Sequence, residues 1–139
     1  MKRKIIPYIE ENPEREIGYN TIFKNFLIFG SIPWLIIGIG NLSGLTKSIF
    51  DYFQPSNLNP IVLIFHFSII IIWLLLLKFI FLNDGAVFLE KHPGIIRFKS
   101  PGFENENLTS SQIKLFSIFI IVGGIIGMIL MWNIQIPSI

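Results

Sequence analysis

Few side chains in this 139-residue chain could do chemistry, and His66 is the first of them. It stands in the run Ile61-Val62-Leu63-Ile64-Phe65-His66-Phe67-Ser68-Ile69-Ile70-Ile71-Ile72-Trp73, which has no formal charge before Lys78. An ionisable residue inside a membrane span is a functional candidate by default. There it could ligate haem, relay protons or line a pore. The plainer reading is a neutral imidazole hydrogen-bonded to another part of the protein, with Asn41 or Ser43 as the expected partner, and it is preferred. Two histidines of one chain are not expected to share a haem. His92 follows beyond the far end of the span, on the order of 40 Å along it at ~1.5 Å per residue. Asp84, Glu90 and His92 form a second group, which could hold a metal or do acid–base work on a lipid headgroup. Solvated loop charges are the preferred reading there. The chain has no cysteine, phosphate-binding loop, dinucleotide fingerprint, HExxH or nucleophile elbow. No catalytic residue, metal ligand or cofactor is therefore assigned.

The elements that must position these residues are three apolar helices. Hydrophobic residues make up 52% of the chain and charged residues 14%, with a mean hydropathy of +0.64, more apolar surface than a soluble domain of this length can hide. Spanning a hydrocarbon core of ~30 Å takes about 20 residues of helix. The predicted spans are residues 22–40, 60–82 and 110–132, in a single domain covering 1–139. The expected class is all-α, a polytopic integral membrane protein with three transmembrane helices. Asn12-Pro13 reads as a helix start and Gly18 as a break before the first span; Pro33 should kink that span. Leu45, Ile49, Tyr52 and Phe53 share a helical face, which predicts a short interfacial helix in the first loop. Asn59-Pro60 should cap the second span. In the loop 83–109, Asn83-Asp84-Gly85 ends the second helix, His92-Pro93-Gly94 and Ser100-Pro101-Gly102 are turns, and Ile95-Ile96-Arg97-Phe98 is a weak strand or an apolar patch that returns to the membrane. Thr109-Ser110-Ser111-Gln112 fits a capping box, with Leu108 and Ile113 placed as its hydrophobic staple. Asn41 and Asn107 open chance glycosylation matches.

Lys2, Arg3, Lys4, Arg15 and Lys24 precede the first span, and Lys78, Lys91, Arg97, Lys99 and Lys114 flank the second loop. Only Lys47 of the 11 basic residues falls elsewhere. This asymmetry puts the N-terminus and the loop 83–109 in the cytosol and the C-terminus outside. The basic start fails as a cleavable signal at Glu10-Glu11 and reads as a cytosolic tail. A bacterial plasma membrane is the expected location; in an organelle the basic side would be matrix or stroma.

Gly123, Gly124 and Gly127 form a small-residue motif in the third span. Gly30, Ser31 and Gly38 share a sector of the first span with Trp34 and Asn41. Small residues let helices approach closely where no hydrophobic force drives them together. They could serve contacts with a partner or packing of the first span on the third, and the second is preferred.

Asp84-Gly85-Ala86 resembles the opening of the CDP-alcohol phosphotransferase signature, but the paired aspartates that follow there are absent. The three-span outline is similar to that of the small bacterial diacylglycerol kinases, whose acidic and asparagine-rich helix motif is also absent. No residue role is carried over from either. The expected function is that of a small accessory or assembly subunit, acting by helix–helix association in a larger membrane complex. Its partners would be lipids and other membrane subunits or further copies of itself, and no nucleic acid. A homo-oligomeric channel or transporter using the His66 face is the alternative, and a lipid-headgroup enzyme at the cytosolic interface the third.

Overall fold

The long runs of isoleucine, leucine and phenylalanine form helices, which bond every interior backbone group within the segment itself. The structure, a computed structural model, describes residues 2–96, 98–100, 103–105 and 108–133. Its helices are α1 (Lys2–Glu11), α2 (Arg15–Leu42), α3 (Pro60–Leu77), α4 (Gly85–Glu90) and α5 (Ser110–Asn133). α3 runs on as a π-turn, Lys78–Leu82. Three helices are long and apolar enough to cross a membrane: Arg15–Leu42, Pro60–Leu82 and Ser110–Asn133. Hydroxyls within them turn back on their own helix; Thr21, Ser31 and Ser117 each donate to the carbonyl four residues earlier.

The chain divides into two compact units. The first comprises Met1–Phe26 and Leu76–Phe119. Its core is Ile80, Ala86, Leu108 and Ile113, with Phe79, Leu89 and Phe116 packed against it. The capping box at α5 is present in both directions: Gln112 N–H donates to Thr109 Oγ1 at 3.3 Å, and Thr109 N–H to Gln112 Oε1 at 3.0 Å. Leu108 and Ile113 are both buried in that core, where a staple would put them. Asp84 adopts a left-handed conformation (φ 53°), which lets the chain leave the π-turn and start α4 at once. Gly85 then lies so close to Phe79 that a Cβ there would overlap its carbonyl oxygen and ring.

The tail before residue 12 is helical (α1). One expectation is corrected in this unit. Gly18 does not break the first span, which begins at Arg15 and runs through it; Asn12 Oδ1 accepts from Glu14 N–H in the turn before it. The loop 83–109 holds α4 and a small antiparallel pair, β1 (Phe98–Ser100) and β2 (Phe103–Asn105), in an otherwise helical chain. Arg97, the Pro101-Gly102 turn and Asn107 lie outside the described residues.

The second unit comprises Leu27–Leu75 and Ile120–Ile139. α2 passes Pro33 as one continuous helix and ends where Gly44 takes a positive φ of 73°. Asn59 caps α3 through its Oδ1, which accepts from Ile61 N–H at 3.1 Å, while its Nδ2 donates to Leu45 O at 2.8 Å. Between them lie two 3-10 helices, Ile49–Phe53 and Pro55–Asn57, in the stretch where the apolar face predicts a short helix. The first is held by Ser48 and Asp51 in a capping box. Its apolar face does not lie wholly outward, for Tyr52 is buried.

Candidate functional site

Tyr52 organises the surroundings of His66. Its hydroxyl lies 3.3 Å from Ile36 O and 3.4 Å from Ile37 O on α2, and 3.4 Å from Thr46 Oγ1. Thr46 in turn donates to Asn41 Oδ1 at 2.5 Å. At its other end, the Tyr52 backbone oxygen lies 2.9 Å from His66 Nε2. One residue of the loop thus ties α2 to α3. Phe65 stands edge-on to both rings, 5.1 Å from Tyr52 and 5.4 Å from His66. A carbonyl can only accept, so Nε2 must carry a proton and the imidazole donates it. His66 is a polar residue bonded across elements, but its partner is neither Asn41 nor Ser43. Ser43 spends its hydroxyl on Ile39 O and Gly40 O of its own helix.

His66 also forms part of the wall of an apolar cleft of about 410 Å³ within this unit. Trp34, Ile37, Phe53, Ile69, Trp73 and Met128 are among its other walls. His66 is 5% exposed, and its Nδ1 has no hydrogen-bond partner.

The glycines divide into two kinds. Gly124 receives the indole of Trp73, which a Cβ would overlap. Gly40, which sequence reasoning did not single out, receives the Tyr52 hydroxyl in the same way. By contrast, a Cβ on Gly30, Gly38, Gly123 or Gly127 would meet nothing within 4 Å. Ser31 is exposed and bonds back to Leu27 O.

In the first unit the structure gives Asp84, Glu90 and His92 separate tasks. Asp84 makes the turn before α4. Glu90 Oε2 accepts from Ser110 N–H at 3.1 Å, satisfying a free donor at the start of α5. His92 is not a solvated loop residue: it is 8% exposed, and Nδ1–H donates to Phe88 O at 2.6 Å at the end of α4. Its ring meets Tyr19 edge-on at 5.1 Å, and Tyr19 donates its hydroxyl to Pro93 O at 2.8 Å. A Cβ at Gly18 would overlap the His92 imidazole. Glycine there is a seat for a ring rather than a helix break. Among the described residues no group of three or more His, Cys, Asp or Glu is placed to hold a metal ion.

Sequence reasoning missed Gly40 and gave Gly18 and Tyr52 other roles, a helix break and a place on an outward apolar face. Their only signal was a glycine on a helix and an aromatic or histidine far along the chain, which spacing alone does not pair. Comparison with known proteins found no matching family model, no similar curated protein and no similar solved structure.

Proposed function

We propose that this chain is an integral membrane protein that works by helix–helix association, as a small accessory or assembly subunit of a larger membrane complex. Its N-terminus and the loop 83–109 face the cytosol of a bacterial cell, and its C-terminus faces outward. The orientation rests on the basic residues, only one of which falls outside the N-terminal and second-loop groups. The observation that carries association is the pair of open glycine stripes. Among the described residues, nothing lies within 4 Å of where a Cβ would stand on Gly30 and Gly38 of α2 or on Gly123 and Gly127 of α5, although Gly127 borders the cleft. The most apolar window of α2 buries none of its residues inside the protein, and those of the other two spans bury 11% each. Bare backbone facing lipid forgoes the close packing that small residues permit between helices.

The channel reading ranks lower because His66 spends Nε2–H on Tyr52 and its neighbours are apolar, a poor lining for a hydrated path. Purification in a gentle detergent tests the proposal. Different membrane proteins in stoichiometric amounts should accompany the chain. A lone monomer of about 16 kDa of protein would contradict it, and a closed ring of identical chains would favour the channel.

A further inference from the structure

His66 carries an unsatisfied ring nitrogen and also borders the cleft. Among the described residues, Nδ1 of His66 is the buried side-chain nitrogen or oxygen that lacks a partner. Because Nε2 donates to Tyr52 O, the neutral ring presents Nδ1 as a bare acceptor. Buried acceptors are almost always paired, and those that are not call for an explanation. The cleft beside it, about 410 Å³, has the size of a small-molecule site, for which ~300–1,000 Å³ is typical. Its remaining wall is almost wholly apolar and rich in aromatic and methionine side chains, among them Trp34, Phe53, Trp73 and Met128.

These features define an occupant. It must donate a hydrogen bond, since Nδ1 can only accept. A quinone or ketone offers no donor. An ammonium would bring an unpaired charge into an apolar wall. An amide would bring a carbonyl that this wall leaves unsatisfied. A single hydroxyl on an apolar body meets every requirement. We propose that the cleft binds a membrane-soluble alcohol or phenol whose hydroxyl donates to Nδ1 of His66. The aromatic walls favour a ring next to that hydroxyl. An acyl chain of a bilayer lipid can fill the same space but leaves Nδ1 unpaired, so the hydroxyl is the basis of selection.

The proposal rests on the membrane reading above but not on association. Its test uses the full chain in phospholipid nanodiscs, with imidazole nitrogens labelled with nitrogen-15. The probes are 4-nonylphenol and 4-nonylanisole, in which a methyl group replaces the hydroxyl proton and so removes the donor. Nonylphenol should move the His66 Nδ1 resonance upfield in a saturable way and leave Nε2 in place; nonylanisole should not. The phenol should bind about 3- to 20-fold more tightly than the ether, the range that hydrogen bonds inside bilayers confer. In His66→Phe the two probes should bind alike. If the phenol causes no saturable shift, or both probes shift Nδ1 equally, the site takes lipid only and the proposal is overturned. The wild-type measurement decides even where the variant fails to fold. A chain that does not enter nanodiscs as a helical protein would overturn the membrane reading itself.

Discussion

Replacing Gly40 by alanine should destabilise the protein, although the change favours helix in general. In a helix interior alanine is ~1 kcal/mol better than glycine. Here, however, the new methyl would overlap the Tyr52 hydroxyl and press on Thr46 Oγ1 and Ile61 Cγ1, at 3.1 and 3.2 Å. The phenol has little room to give way, because its oxygen faces the carbonyls of Ile36 and Ile37 and its backbone is held by His66. Overpacking of this kind costs ~1–3 kcal/mol, so the net loss should be about 0–2 kcal/mol. Tyr52→Phe alone loses the hydroxyl bonds, ~0.6 kcal/mol on average in bilayers and up to ~1.7. In the double variant the clashing atom is gone. Its stability should be no lower than that of Tyr52→Phe, a favourable coupling of roughly 1 kcal/mol or more between contacting residues. Reversible unfolding in mixed micelles, followed by tryptophan fluorescence, measures all three. A stabilising Gly40→Ala, or simple additivity, would refute the contact between the loop and α2.

Other perturbations test separate parts of the account. Gly124→Leu should lower the stability of the isolated chain by displacing Trp73, whereas Gly123→Leu and Gly127→Leu should leave that stability nearly unchanged and reduce co-purification of partners; detergent unfolding and pull-down yield separate the two effects. Gly18→Ala should destabilise the first unit by up to about 2 kcal/mol, overlap with His92 outweighing the ~1 kcal/mol helix gain, and His92→Ala should relieve it; a Gly18→Ala midpoint higher than wild type would argue against the seat. Thr109→Ala should cost ~1 kcal/mol through the lost α5 cap, seen as a lower urea or detergent midpoint. A cysteine at Ser56 should react with an impermeant thiol reagent outside intact cells while one at Ser100 does not; the reverse pattern would invert the topology.

The features that could be read from the chain are those set by local chemistry. An uncharged run from 61 to 77 implies a long helix whatever surrounds it, and Thr109 with Gln112, or Asn59 before Pro60, name a helix start within three residues. What escaped was pairing at a distance. Tyr19 meets Pro93 across 74 positions, and Glu90 reaches Ser110 across 20. Neither residue carries a local sign of its partner. Gly18 shows the ambiguity directly. A glycine near a helix start signals a break when only neighbours are considered, yet here it exists because the His92 ring occupies the space of its side chain. Tyr52 was read correctly as part of an apolar face, but an amphipathic face does not distinguish lipid from a neighbouring helix. The face of α5 carrying Gly123 and Gly127 poses the same question in reverse: Gly127 borders the cleft, and no described side chain sits where a Cβ of either glycine would be.

That face gives the most direct test of association in the membrane. A photoactivatable crosslinking residue at Ile120 or Leu130 would flank the Gly123–Gly127 stripe three positions to either side; at Ile125 it would face the opposite way. All three positions are exposed, so the probe should be accommodated without disturbing the fold. Irradiation of intact membranes should give discrete protein adducts from Ile120 and Leu130 and chiefly lipid adducts from Ile125. Lipid adducts alone from all three positions would mean that the stripe faces the bilayer, and would contradict the account.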